Sequence, residues 1–436
     1  MKKILLVLLT LGSLQLTAQK DRQREQIKIK VSELEKKVIA WRRDIHEHPE
    51  LGNREFRTAE LVAKHLQSLG LEVKTGVGKT GVVGLLKGSL PGPVVALRAD
   101  MDALPVYEKN DLPFASKVET EYNGQKTGVM HACGHDTHVA MLMGVAEILT
   151  SMKKELKGSV KFIFQPAEEG APKGEEGGAE LMVKEGVLEN PKVDAVFGLH
   201  ISSGYAVGTI TYRPGGEMAG VNDMKITVTG KPSHGAAPWM SVDPIVVSAQ
   251  IINSLQTVVS RNVNITENPA IVTVGAIHGG NRGNIIPEQV EMLGTVRTLS
   301  ANDEKLVLKR VNEIVTKTAE AAGASVKVEL PYSSHYPVTF NNIELTNKML
   351  PSLQKSAGAN NVIVIPPHTG SEDFSFFAEK VPGLFLFLGG MPKGVDPKNA
   401  PSHHTPGFMI DESGMPLGMI TLCNLVVDYA NLTTKK

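Results

Sequence analysis

Val94-Val95-Ala96-Leu97-Arg98-Ala99-Asp100-Met101-Asp102-Ala103-Leu104-Pro105 is an apolar run that ends in two carboxylates. Val94 to Leu97 reads as a buried strand. Asp100 and Asp102 are alternate residues at its end, so they point to one face. In open α/β sheets, ligands bind outside the carboxyl ends of the strands. Two bare carboxylates side by side repel unless cations or hydrogen-bond donors lie between them. Turn-forming Asp residues ahead of Pro105 would give the same pattern, so the pair takes its meaning from its surroundings.

Downstream lies His131-Ala132-Cys133-Gly134-His135-Asp136-Thr137-His138. Cys133 and His135 converge on one point only if the backbone turns between them, which Gly134 permits. The polar residues 123–128 before it read as a loop. The apolar run Val139 to Leu149 after it reads as a helix, with Asp136 or Thr137 as cap. A helix N-terminus or a bound metal favours a thiolate nearby. Taken alone, the segment fits a local loop network as well as a metal site. The next strand, Val160 to Phe164, ends in Gln165-Pro166-Ala167-Glu168-Glu169-Gly170. Adjacent carboxylates suit a division of labour, one Glu binding metal and the other holding the attacking water. A solvated acidic loop is the alternative, since Glu175 and Glu176 follow. A further strand, Val193 to Leu199, ends in His200. Three successive strands thus end in metal-binding or acid–base residues.

At residues 215–221 the pattern changes. A strand (224–229), helix (243–261), strand (270–277), strand (289–299), helix (302–322) and strand (325–330) follow, the β-α-β-β-α-β order of a ferredoxin-like unit. It reads as an inserted domain of about a hundred residues. His234 lies in a polar loop between strand and helix, Asn284 in the turn between the middle strands, and Arg297 on the third strand. After Tyr336 the α/β pattern resumes, with a helix at 343–356 and strands at 361–365 and 384–388. The loop Thr369 to Asp373, the pair His403-His404 and a final helix, 416–429, complete it. Cys423 on that helix reads as a core residue.

Upstream, helical periodicity spans 27–46 and 54–69. Lys2 and Lys3, the apolar run Ile4 to Leu11, and Leu16-Thr17-Ala18 before Gln19 read as an export signal. The apolar run is short for a membrane span, although an uncleaved anchor has the same composition. The chain has 436 residues, more than one core usually serves, which implies two domains. Lys+Arg and Asp+Glu are both 46, so no basic balance points to nucleic acid. With only two cysteines, the chain is no disulfide scaffold.

The motifs ALRADMDALP (96–105), MHACGHDTH (130–138), QPAEEG (165–170), FGLH (197–200), KPSHGAAP (231–238), GNIIPE (283–288), GTVRT (294–298), TGSEDFS (369–375) and SHHTPGF (402–408) resemble those of the hippurate hydrolase and indole-acetyl-amino-acid hydrolase family. These are metallo-amidohydrolases of the wider aminoacylase and carboxypeptidase G superfamily of metallopeptidases. The resemblance spans roughly residues 27–429. It implies an α/β fold: a dinuclear metallopeptidase catalytic domain, a mixed sheet flanked by helices, with an inserted ferredoxin-like α+β lid and dimerisation domain. The expected division is a signal peptide at 1–18, the catalytic domain at 19–220 and 335–436, and the inserted domain at 221–334.

The resemblance further implies two divalent cations per subunit, Mn or Zn, held by Cys133, His135, Glu169, His200 and His404, with Cys133 bridging. His404 is preferred over His403 because it directly precedes Thr405-Pro406. Glu168 matches the general base. Asp102, with Asp100 and Asp136, matches carboxylates that orient ligands. His234, Asn284 and Arg297 match residues that face the substrate, and His234 of one subunit serves its neighbour's site. The implied reaction is hydrolysis of an N-acyl or N-aroyl amino acid, a small molecule, to a carboxylate and a free amino acid. Glu168 takes the proton of the attacking water, His234 donates to the oxyanion and Arg297 suits the substrate carboxylate. A dipeptidase or carboxypeptidase acting on short peptides or cell-wall fragments would use the same residues. A non-enzymatic binding homologue would lack a ligand or Glu168, and none is missing. The expected state is a homodimer in the periplasm, with no nucleic-acid partner and no membrane contact once the signal is cleaved.

Overall fold

The computed structural model describes residues 2–433. The side chains of the segment read as a signal, 1–18, lie outside the described residues. The chain forms two compact units. One comprises Met1–Pro214, Asn341–Ile365 and Lys380–Lys436; the other comprises Gly215–Phe340 and Pro366–Glu379.

The first unit is built on an eight-stranded mixed sheet. Its order is Glu72–Val77, Gly81–Lys87, Lys157–Gln165, Leu90–Asp100, Ala195–Ala206, Gly383–Met391, Ile210–Tyr212 and Val362–Val364. The four central strands run parallel to one another. Parallel strands are covered on both faces and so read as unbroken apolar runs. Residues 160–165 and 195–201 are accordingly buried throughout. Leu90–Asp100 lies between Lys157–Gln165, reached through the helix His135–Ser151, and Ala195–Ala206. The chain leaves Leu90–Asp100 for a neighbour on one side and then returns to a neighbour on the other. This is a switch point, where a crevice opens beyond the strand ends.

The helices Lys2–Glu47, His135–Ser151 and Met415–Thr433 pack against each other and on the central strands. The helix His135–Ser151 is apolar nearly all round and almost wholly buried, as expected for a core helix. The stretch Glu412–Leu432 is long and apolar enough to cross a membrane by length and composition, but 67% of its most apolar window is buried in this core.

The second unit is an antiparallel sheet in the order Ala270–Gly279, Gln289–Thr298, Gly220–Thr229, Ser325–Glu329. The helices Pro244–Asn262 and Ala301–Ala321 pack together on it. Met224, Ile226 and Val228 alternate along the central strand into a core shared with Ile251, Leu255, Val307 and Val311.

Several expectations are corrected. The first helix is continuous from Lys2 to Glu47 rather than starting near residue 27. Residues 123–128 are not a loop: Glu119–Tyr122 and Gln125–Gly128 pair as a hairpin. Asn123 and Gly124 turn it with φ of 51° and 77°, the primed turn that Asn-Gly favours. The strand expected to end at Leu199 runs on to Ala206, so His200 lies within it. The segment Pro366–Glu379, assigned from sequence to the catalytic domain, packs in the second unit. His368 and Gly370 carbonyls there accept from Ala219 N–H at 3.0 and 2.9 Å. The Thr339 hydroxyl donates to the Glu372 carbonyl at 3.0 Å.

Candidate active site

Gln165 ends its strand, and Ala167 then takes a φ of 50°, a conformation unusual for a residue with a Cβ. The turn aims three successive backbone N–H groups at two buried carboxylates. Ala167 N–H donates to Glu55 Oε1 at 2.9 Å, Glu168 N–H to Asp102 Oδ1 at 3.0 Å, and Glu169 N–H to Asp102 Oδ2 at 3.0 Å. The backbone of the adjacent glutamates is therefore fixed while their side chains stay available. Asp100 is occupied differently. It takes Arg98 Nη1 at 2.6 Å and His138 Nδ1 at 2.5 Å. The two strand-end carboxylates thus lie among donors, which answers the repulsion between them. Burial opposes the charge on Asp100, but Arg98, His135 and His138 outweigh it and hold this carboxyl well below its ordinary value.

The Cys133–His138 segment turns at Gly134, whose φ is 95°. A Cβ there would lie 2.6 Å from Ile201 Cγ2. Gly134 is itself the residue before the helix, which begins at His135, so neither Asp136 nor Thr137 is the cap. Asp136 faces away from the thiol, toward the first helix. It takes Arg42 Nε at 2.7 Å and His46 Nδ1 at 2.8 Å. Its role is to fasten the first turn of the helix that carries His135.

Hydrogen bonds set which ring nitrogen of each histidine is available. His135 Nδ1 donates to the Asp102 carbonyl at 2.9 Å, and His200 Nδ1 to the Ile201 carbonyl at 2.6 Å. Both rings therefore present a bare Nε2. His138 has no free nitrogen, since Nδ1 holds Asp100 and Nε2 accepts from Ile201 N–H at 2.8 Å. It orients rather than ligates. His403 Nε2 accepts from Ser203 N–H at 3.2 Å, with Nδ1 at 3.5 Å from Cys133 Sγ. His404 Nε2 lies 3.3 Å from Cys133 Sγ and 2.9 Å from Glu169 Oε1. His404 has a φ of 61°, so its loop holds a strained conformation at the site.

The donor set fits two cations. Cys133, His135 and His200 form one cluster, and Cys133, Glu169 and His404 another, sharing the thiol. Cys133 Sγ is 3.3 Å from His200 Nε2. His135 Nε2 is buried with no hydrogen-bond partner, and Glu168 Oε2 and Glu169 Oε1 stand 3.9 and 4.0 Å from it. Ligand atoms about 2.0–2.3 Å from one tetrahedral cation lie roughly 3.3–3.8 Å apart. These separations are near that spacing, and the longer ones are too long for hydrogen bonds.

Electrostatics agree. Burial opposes a charge on His135, but Asp100 and Asp102 outweigh it and push the ring up to about 10. Burial, with His138 and His403 beside it, holds His200 well below its ordinary value. Burial and the Glu169 and Glu168 carboxylates push the Cys133 thiol up. Positive charge is what this cluster lacks, and a cation would make the thiol a thiolate. The mixed sulfur, nitrogen and oxygen donors do not select between Mn and Zn.

His138, Arg98 and Glu55 were not singled out from sequence. His138 had a signal, since it lies three residues from His135 on one helix face. Arg98 had one too, because it alternates with Asp100 along the strand. Glu55 had none. It directly precedes the helix Phe56–Ser68 but does not cap it, and it meets Ala167 across 112 positions of sequence.

His234, Asn284 and Arg297 belong to the second unit. His234 pairs with Ile285 in a two-residue ladder, and the Asn284 carbonyl accepts from Gly235 N–H at 2.8 Å, so those two are neighbours. His234 Nδ1 accepts from Ala236 N–H at 3.0 Å, which leaves Nε2 as the proton-bearing nitrogen of the neutral ring. Arg297 is half-buried. Its partners are the hydroxyls of Thr295 and Ser371, each at 3.2 Å, and among the described residues no carboxylate pairs with it.

A profile of peptidase family M20/M25/M40 matches residues 96–427. Thermostable carboxypeptidase 1 of Saccharolobus solfataricus is 43% identical over 93% of this chain and 99% of its own length. IAA-amino acid hydrolase ILR1-like 2 of Arabidopsis thaliana is 36% identical over 98% of this chain and 94% of its own. A Bacillus subtilis protein described as a dinuclear metal binding peptidase from the M20 family superposes with a TM-score of 0.75, at 34% identity. That match covers 92% of this chain and 99% of that one.

Proposed function

The chain belongs to peptidase family M20/M25/M40 and is a hydrolase of amide bonds, and on that premise we propose that it cleaves N-acyl or N-aroyl amino acids to a carboxylate and a free amino acid. The observation that carries the reading is the single thiol of Cys133, shared by two donor clusters at the carboxyl ends of the central strands. Cys133, His135, Glu169, His200 and His404 would hold two divalent cations, Mn or Zn. Such a pair polarises the amide carbonyl and acidifies water. Glu168 takes a proton from the attacking water and returns it to the leaving amine. Asp102 keeps Glu168 in place through the backbone rather than through the carboxylate, which leaves that carboxylate free to exchange protons.

His234, with its donor Nε2, is the proposed hydrogen-bond partner of the oxyanion. Arg297, having only hydroxyl partners, and Asn284 are the proposed partners of the substrate carboxylate. The open edge strand Ala270–Gly279, which exposes Ile271 and Ile277, supports a homodimer. Lys2, Lys3 and the apolar run to Leu11 support export to the periplasm with cleavage after Ala18. The relative named as a carboxypeptidase favours a second reading, in which short peptides are cut by the same residues. A panel of hippurate, acetyl-amino acids and dipeptides, offered to Mn- or Zn-loaded protein, separates the two. Higher kcat/KM on the N-acyl compounds is expected; turnover of dipeptides alone would overturn the reading.

A further inference from the structure

A cavity of about 270 Å³ in the first unit opens directly onto the clustered donors, because Asp102 and Glu169 form part of its lining. Its other walls are mostly apolar: Leu51, Leu104, Pro105, Pro172 and Tyr122. Tyr122 comes from the hairpin Glu119–Gly128, whose base is firmly set. Met130 and Leu104 exchange backbone hydrogen bonds at 3.0 Å each, and the Thr127 hydroxyl donates to the Pro105 carbonyl at 3.2 Å. A Cβ on Gly128 would lie 2.8 Å from Tyr107 Cα, so that strand is pressed against the chain beneath it. Arg54, the one cationic side chain on the cavity, is already held by Glu175 at 2.6 Å.

We infer that this cavity receives the acyl group of the substrate, and that the hairpin selects aromatic or other bulky acyl groups over acetyl. The inference rests on the reading of the site as an amidohydrolase. Of the two ends of an N-acyl amino acid, the carboxylate needs a free cation, and the cavity has none. The acyl end is apolar and must start at the carbon under attack, which places it beside Glu169. At about 30 Å³ for each water-sized atom, the cavity holds about nine. A benzoyl group nearly fills that space, whereas an acetyl group leaves most of it empty. An apolar pocket with a polar rim is the usual form of such a site.

The test compares hippurate with N-acetylglycine, which share their amino acid, on the metal-loaded wild type, Leu51→Trp and Tyr122→Ala. Leu51→Trp fills the cavity and should lower kcat/KM on hippurate by at least about tenfold while changing N-acetylglycine by less than about threefold. Tyr122→Ala should narrow the hippurate preference through KM. Calorimetric binding of both compounds to Glu168→Gln, with and without Leu51→Trp, reads the same preference without turnover. Parallel losses on both substrates, or none on either, would overturn the inference. If the protein cleaves only peptides, glycyl and phenylalanyl dipeptides replace the pair. A selective loss on phenylalanyl substrates would then uphold the cavity and reject only the N-acyl reading, whereas an equal loss would reject both.

Discussion

Asp102 accepts the backbone N–H of Glu168 at 3.0 Å on one oxygen, and its other oxygen accepts that of Glu169 at the same distance. One carboxylate at the end of one strand therefore fixes the base and a metal ligand at the end of the next. Asp102→Asn keeps the shape but replaces one acceptor by a donor that opposes an N–H. Metal affinity should fall about 10–100-fold, measured by titration of metal-free protein. An unchanged affinity would remove Asp102 from its orienting role.

Glu55 is the second anchor of the same turn. Its carboxyl takes the Thr80 hydroxyl at 2.5 Å and Ala167 N–H at 2.9 Å, and burial together with Asp102 pushes it up to about 8. The folded state therefore holds a proton that the unfolded state has lost between its ordinary value of 4.5 and about 8. Stability from this group is fully present below about 4.5 and is lost as pH rises toward 8. In metal-free protein, Glu55→Gln should remove that loss, so the Tm difference between variant and wild type should shift in the variant's favour from about pH 5 to about pH 8. A difference that stays flat across the range would show that Glu55 is ionised in the fold.

The strand-borne part of this site was legible from sequence because buried parallel strands announce themselves. Val94 to Leu97, Val160 to Phe164 and Val193 to Leu199 are unbroken apolar runs, and polar residues at their ends stand out. Gly134 marked the turn between Cys133 and His135 for the same reason. Contacts set by tertiary packing left no comparable trace. The Glu55–Ala167 bond crosses 112 positions. The placement of Pro366–Glu379 in the second unit depends on Ala219 meeting His368 and Gly370, a pairing between distant segments. The hairpin at 119–128 was legible through Asn123-Gly124, but its strands are polar and exposed, so apolar alternation did not reveal it.

Cys133 and Cys423 are both buried and unbridged. Cys423 lies in the core helix, where burial alone pushes its thiol above the accessible range. Titration of denatured, unreduced protein should find two thiols. Cys133→Ser should lower metal content and rate together, and Cys423→Ser should leave both nearly unchanged. Full metal content in Cys133→Ser would show that the thiol is no ligand.

The exposed Ile271 and Ile277 lie on the outermost strand of the second unit. An edge of that kind invites a second chain unless charge protects it. Sedimentation should give a dimer for the wild type and a monomer for Ile271→Lys. A wild type that is monomeric and fully active would remove both the dimer and any role of His234 in a neighbour's site.

The division of labour between Glu168 and Glu169 carries the account, and one paired measurement on Glu168→Gln tests it most directly. Metal content and kcat are determined on the same preparation, loaded with Mn or Zn. Two cations per chain with kcat reduced about 10²–10⁴-fold is the predicted result. Lost metal with residual turnover would contradict it and would exchange the roles of the two glutamates.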